Sequence, residues 1–138
     1  FNITLDEGVN FVLRCLNIMW GGEIFVPKIP SYNILDVAKA ISSTAKYKFI
    51  GIRPGEKLHE EMITITDGIN TAEFNDYYVI MPNTEFSPWT QKKFINHRTI
   101  KGKYCKEGFH YSSENNKQFL SVKQIRKLIS VMYQLGLS

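Results

Sequence analysis

Arg53 and Glu56 stand three residues apart across Pro54-Gly55, and they are the pair in this chain best suited to an anionic ligand. An arginine fork offers two parallel charge-assisted hydrogen bonds, a geometry that a phosphate pair accepts. A carboxylate beside it suits vicinal hydroxyls, such as those of a ribose. Together the two residues fit a nucleotide diphosphate. The same residues also fit an Arg–Glu ion pair that stitches a turn, and local chemistry alone leaves both readings open.

The elements around this pair must fix its direction. Phe49, Ile50 and Ile52 predict a short buried strand over residues 48–52. Pro54-Gly55 breaks it, because proline fixes φ and glycine accepts a positive φ. Arg53 precedes a proline, which disfavours helical backbone there. Its side chain is therefore expected to leave the strand end toward a cleft, where α/β folds place ligands. A charged helix is predicted to follow over residues 56–63.

Upstream, Thr4-Leu5-Asp6-Glu7 is a capping box that predicts a helix over residues 5–18. Val9, Val12, Leu13 and Leu16 give it one apolar face. Gly21-Gly22 stops it. A strand is expected at residues 23–27, and Pro27 and Pro30 keep the following chain extended. Ser31 or Asn33 can cap a helix over residues 33–42, with Ile34, Leu35, Val37, Ala38 and Ile41 facing inward. Downstream, Thr66-Asp67-Gly68 signals a turn. Glu73 to Asn75 leads into a strand over residues 77–81, ended by Pro82. Residues 83–110 read as a long irregular connection holding at most a short strand. Ser121-Val122-Lys123-Gln124 is a second capping box. The last helix is expected over residues 121–134, with Val122, Ile125, Leu128, Ile129 and Met132 on its apolar face and Gly136 ending it. The fold class is mixed α/β in a single domain over residues 1–138, without repeats or low-complexity tracts.

Other chemistry fails on spacing. His59-Glu60-Glu61-Met62-Ile63 begins like a zinc-protease helix, but Ile63 stands where the second histidine must be. His97 and His110 have no metal-ligand spacing, so no metal site is expected. Gly21-Gly22 does not extend to a dinucleotide fingerprint, and no Gly-rich phosphate loop is present. No Ser, Cys or Lys stands in a nucleophile context. Cys15 in a helical pattern and Cys105 in a loop are expected to be reduced thiols. Asn2-Ile3-Thr4 fits a glycosylation sequon, which means little without a secretory signal. No apolar run reaches the roughly 20 residues that a membrane helix needs. The chain opens on Phe1 and shows no signal peptide, and the expectation is a piece of something longer. The net charge of +4 suits an anionic ligand, although the basic residues are scattered rather than gathered in a stripe.

Three motifs in order carry a resemblance. Thr4-Leu5-Asp6-Glu7-Gly8-Val9 comes first, and Gly21-Gly22-Glu23-Ile24-Phe25-Val26-Pro27-Lys28-Ile29-Pro30-Ser31 second. The third is Ile52-Arg53-Pro54-Gly55-Glu56-Lys57-Leu58-His59-Glu60. Together they resemble the C-terminal part of the inverting UDP-N-acetylglucosamine 4,6-dehydratases, which are extended short-chain dehydrogenases. The match is dense from Phe1 to Ile63 and returns at Tyr111-Ser112-Ser113-Glu114-Asn115-Asn116. The resemblance implies an enzyme that oxidises C4 of the sugar with bound NADP, eliminates water across C5 and C6, and returns the hydride to C6 with C5 inverted. It implies that NADP and the catalytic residues belong to an N-terminal Rossmann part absent from this chain. This chain would then be the substrate-binding region, inactive alone, with neither a catalytic nor a cofactor-binding residue of its own. Arg53 matches the motif position expected to hold the UDP diphosphate, and Glu56 the one expected to hold ribose hydroxyls or nearby polar groups. Lys57 reads as a solvated charge and His59 as a helix-surface residue packing on the turn. Ser113, Asn115 and Asn116 read as loop-fixing side chains that satisfy backbone groups. The Glu23–Val26 strand would complete the Rossmann sheet, leaving an unpaired edge on this piece.

The implied setting is a cytoplasmic homo-oligomer feeding surface polysaccharide or pseudaminic acid-type glycans, without membrane or nucleic-acid partners. A free-standing nucleotide-sugar binding module without chemistry is one alternative, and another nucleotide-sugar epimerase or dehydratase of the same superfamily is a second. A basic nucleic-acid-binding domain ranks last, because no recognised motif or clustered basic face supports it.

Overall fold

The computed structural model describes residues 1–83, 90–96 and 101–134, the last three by backbone alone. Five helices and six strands are described: α1 (Leu5–Leu16), β1 (Ile24–Pro27), α2 (Ile34–Ile41), β2 (Glu61–Ile63), α3 (Ile65–Gly68), β3 (Thr71–Glu73), β4 (Tyr77–Ile80), α4 (Gln91–Asn96), β5 (Lys103–Tyr104), β6 (Tyr111–Ser112) and α5 (Val122–Gln134). The fold is mixed α/β, as the pattern predicts. The chain divides into two compact units. One comprises Phe1–Asn2, Ile29–Glu60 and the chain from Ser113 onward, and the other comprises Ile3–Lys28 and Glu61–Ser112.

The second of these units holds a four-stranded antiparallel sheet in the order β1-β4-β3-β5, so β1 is an edge strand. Ile24 faces Ile80 and Pro27 faces Tyr77 across β1 and β4. Thr71 faces Ile80 across β3 and β4. Alternation along β4 sends Tyr77 and Val79 inward, and they join Ala72, Phe74, Met81, Phe94 and Ile95 in one buried cluster. Phe74 and Tyr77 stack with centroids 4.9 Å apart. The Thr4–Glu7 capping box forms as expected: Thr4 Oγ1 accepts from the Glu7 amide, and the Glu7 carboxylate accepts from the Thr4 amide at 2.8 Å. The apolar face of α1 is present but uncovered, with Leu5 79 % exposed.

The stretch 83–110 is more ordered than its polarity suggests. It contains α4, whose Phe94 and Ile95 enter the core, and the short strand β5. Residues 84–89 and 97–100, including His97, lie outside the described residues. Two further elements were not expected from sequence. Thr66-Asp67-Gly68 belongs to the single-turn helix α3, capped by Thr64 and Asp67. Strand β3 precedes β4 to make a hairpin.

In the other unit, Asn33 caps α2 by accepting from the Leu35 amide at 2.9 Å. Ala40 is buried, whereas Ile34 and Ile41, expected inward, are exposed. The helix packs against α5, and the two ends of its apolar stripe are left uncovered. Helix α5 opens on the predicted box, with Ser121 N donating to Gln124 Oε1 at 2.9 Å, and Ile125 is its buried residue. The Met132 side chain and Gly136 lie outside the described residues.

Two expected elements are corrected. Residues 48–52 form no strand, and Phe49 is 80 % exposed. A strand needs a hydrogen-bonding neighbour, and among the described residues none pairs with this run. Residues 56–63 form no helix either: the chain turns at Glu56, and Glu61–Ile63 is β2, paired with β6. The Glu56 carboxylate is engaged by the preceding turn, Leu58 stays exposed, and Ile63 gains complete burial as a strand residue.

Candidate functional site

Arg53-Pro54-Gly55-Glu56 is a hydrogen-bonded turn: the Glu56 amide donates to the Arg53 carbonyl at 3.0 Å. Proline second and glycine third, with Gly55 at φ +85°, match a type II turn, whose third position only glycine adopts cheaply. The predicted break at Pro54-Gly55 therefore forms, although no strand leads into it. Arg53 and Glu56 are brought together as expected. Glu56 Oε2 accepts the Arg53 backbone N–H at 2.8 Å, and Glu56 Oε1 lies 3.9 Å from Arg53 Nε. The first is a hydrogen bond; the second is a loose ion pair between side chains 70 % and 51 % exposed. Lys57 and His59 are exposed, and His59 is not a helix-surface residue, because no helix forms here.

Ser113 and Asn116 of the tail motif do what their residue types suggest. Ser113 Oγ accepts the Glu60 amide at 3.0 Å, while the Ser113 amide donates to the Glu60 carbonyl at 2.8 Å. Asn116 Nδ2 donates to the Ile29 carbonyl and to Ser31 Oγ, both at 2.8 Å. Ser31 is fully buried, so Asn116 satisfies a hydroxyl that water cannot reach. Thr4 is occupied by its capping role.

A polar cluster in the sheet unit is absent from the sequence reading. Lys28 Nζ donates to Glu73 Oε1 at 2.8 Å and to the carbonyls of Phe74 and Asn75, and it sits 4.7 Å from the centre of the Tyr78 ring. Its three protons meet three acceptors, which makes it a structural tie. Hydrogen bonding from Lys28 holds the Glu73 carboxyl below its usual range. Burial, with Glu73 adding to it, pushes the Tyr78 hydroxyl to about 12 and the Cys105 thiol to about 11. Both stay protonated at neutral pH. A lysine directly after a Val-Pro strand end is the available signal, and only the register shows what it reaches.

A family model described as polysaccharide biosynthesis protein matches residues 1–82. The chain belongs to this family. The match takes in the Thr4 box, the Gly21–Ser31 stretch and the Arg53–Glu56 turn. The chain is 46 % identical over 130 residues to "UDP-N-acetylglucosamine 4,6-dehydratase (inverting)" of Campylobacter jejuni serotype O:2, covering 94 % of this chain and 39 % of that protein. It is 37 % identical over 84 residues to "UDP-glucose 4-epimerase" of Rickettsia canadensis, covering 58 % of this chain and 25 % of that protein. The solved structure of Pen from Bacillus thuringiensis superposes with a TM-score of 0.68 at 24 % identity, covering 95 % of this chain and 37 % of that one, which supports the fold. The chain thus spans about two fifths of the length of the dehydratase it matches. Among the described residues, no helix is long and apolar enough to cross a membrane.

Proposed function

We propose that this chain is the substrate-holding region of an inverting UDP-N-acetylglucosamine 4,6-dehydratase, and that Arg53 and Glu56 grip the UDP moiety. The observation that carries the reading is the 46 % identity to the Campylobacter dehydratase across 94 % of this chain. The geometry supports it. The guanidinium is exposed and only loosely paired, so it is accessible to a diphosphate. Glu56 Oε2 is fixed by the backbone, which leaves Oε1 for ribose hydroxyls. The work of these residues is positioning: they hold the nucleotide so that the sugar is presented in a reactive pose.

NADP would supply the hydride chemistry of the whole enzyme. The residues of this chain do not fit a dinucleotide site, since Gly21-Gly22 extends to no fingerprint, and no step of the reaction is assigned to them. On this reading the catalytic residues and the cofactor belong to the part of the relatives that lies outside the match. This chain alone is then inactive, and the enzyme is a cytoplasmic homo-oligomer in surface polysaccharide or pseudaminic acid-type synthesis. The uncovered apolar residues of α1 support a partner in the rest of the enzyme. A UDP-glucose 4-epimerase is the second reading, favoured by the Rickettsia relative, and it shares the UDP grip.

The test is titration of UDP into the full-length protein. Arg53→Ala should weaken binding by about 1.5–3 kcal/mol, the scale of a charge-assisted hydrogen bond. That is roughly ten- to a hundred-and-fifty-fold in Kd. Arg53→Lys should restore part of it, because a point charge cannot reproduce the fork. Unchanged UDP affinity in a folded Arg53→Ala protein overturns the assignment. Turnover of UDP-N-acetylglucosamine rather than UDP-glucose by the wild type separates the two enzyme readings.

A further inference from the structure

Residues 43–60 carry the Arg53–Glu56 turn, and every one of them is exposed. They form no helix or strand. Such a segment cannot hold a side chain in place by its own packing. Its two ends, however, are both tied to the same C-terminal stretch. At the entry, Arg126 on α5 donates through Nε to the Ala40 carbonyl at 3.2 Å and through a terminal nitrogen to the Lys39 carbonyl at 3.0 Å. These belong to the last turn of α2, whose carbonyls lack intrahelical partners and whose dipole favours a cation. At the exit, Ser113 holds Glu60 by both backbone groups, accepting its N–H and donating to its C=O. Among the described residues, no hydrogen bond joins the chain between Thr44 and Arg53 to another segment.

We infer that Ser113 and Arg126 are positioning residues for the Arg53–Glu56 grip: they clamp the two ends of the segment that carries it and touch no ligand themselves. The inference rests on the UDP reading above. A loop pinned at both ends samples far fewer positions than one free at either, so less conformational freedom must be lost on binding. The Ser113 clamp closes four residues after Glu56, so freeing it acts directly on the turn.

The test uses the full-length protein with Ser113→Ala, Arg126→Met, Arg53→Ala and the double variant Arg53→Ala/Ser113→Ala. Amide exchange at Ser42, Arg53, Glu56 and Glu60, whose N–H groups are hydrogen-bonded, reads the clamp without any ligand, and it should quicken in Ser113→Ala and Arg126→Met while exchange in the β1–β4 strands stays unchanged. UDP titration reads the consequence. Each clamp variant should bind UDP about three- to tenfold more weakly, the scale of one net hydrogen bond. The double variant should bind no worse than Arg53→Ala alone, because the clamp acts through Arg53. A merely structural role would give additive losses or change nothing but the unfolding rate. Unchanged exchange at these four amides, or additive losses in the double variant, overturns the inference while leaving the Arg53 assignment standing. Unchanged UDP affinity in Arg53→Ala removes that assignment and the positioning role with it.

Discussion

Lys28→Met is the sharpest test of how the sheet unit is held. Methionine keeps most of the stem volume and removes the ammonium. The wild-type group makes three hydrogen bonds, to Glu73 Oε1 at 2.8 Å, the Phe74 carbonyl at 2.6 Å and the Asn75 carbonyl at 3.2 Å, while the Lys28 amide donates to the Asp76 carbonyl at 3.0 Å. They fasten the end of β1 to the turn between β3 and β4. Hydrogen bonds to a charged group contribute about 1.5–3 kcal/mol apiece. The lysine side chain is 19 % exposed and Glu73 30 %, so water recovers part of the loss, and Lys103 still reaches Glu73 Oε2 at 3.0 Å. The net cost is therefore about 2–3 kcal/mol, near one such bond rather than three. Amide exchange at Val26 and Val79 in the full-length protein should quicken by roughly thirty- to a hundred-and-fifty-fold. The pH dependence carries a sign. Lys28 holds the Glu73 pKa below its ordinary value. The stability from this pair is thus complete above the unfolded pKa and is lost as pH falls through the lower folded one. The gap between wild type and Lys28→Met should hold steady down to the ordinary carboxyl range and shrink as pH falls below it. A gap that stays constant, or a variant with unchanged exchange at neutral pH, refutes the tie.

Two further outcomes are expected. Glu56→Gln keeps an oxygen for the Arg53 amide but loses the charge, so the turn should persist while UDP binding to the full-length protein weakens about three- to tenfold; unchanged titration would leave Glu56 a turn residue only. Gly68→Ala should destabilise the sheet unit by about 1–3 kcal/mol, read as faster exchange in β3 and β4, because the new Cβ would fall onto the Phe109 carbonyl oxygen, which is backbone and cannot step aside.

Much of the fold is legible where local rules act alone. Both capping boxes form, since Thr4–Glu7 and Ser121–Gln124 satisfy orphan amides within one turn. Strand β4 is legible because Tyr77-Tyr78-Val79-Ile80 has strong strand propensity and Pro82 stops it. The failures at residues 48–52 and 56–63 share one cause, dependence on a distant neighbour. Phe49, Ile50 and Ile52 have strand chemistry, but no described strand of this chain pairs with them. Met62 and Ile63 fit a helix end by spacing, yet β6 lies about fifty residues on and wins them as a strand. Helix α4 is masked by a charged, aromatic-dotted stretch in which two apolar residues, Phe94 and Ile95, face the core. The Arg53–Glu56 pairing is readable because Pro54-Gly55 dictates the turn between them. Its clamp is not, because Ser113 lies 53 residues from Glu60.

A turn-stitching pair and a phosphate grip look like rival roles for Arg53 and Glu56, and the distances remove the rivalry. What stitches the turn is the Glu56 carboxylate on the Arg53 backbone amide at 2.8 Å, together with the amide-to-carbonyl bond at 3.0 Å. Neither uses the guanidinium. The side-chain pair at 3.9 Å, with Arg53 70 % exposed, is of the class that contributes about 0–1 kcal/mol. A phosphate that takes the fork in two charge-assisted bonds offers more than that pair can withhold. Releasing Glu56 Oε1 costs little, and the backbone bond keeps the carboxylate in place while the arginine turns to a ligand. The geometry that looks like a closed structural pair is therefore compatible with an open site, and its backbone half is what would keep that site in order.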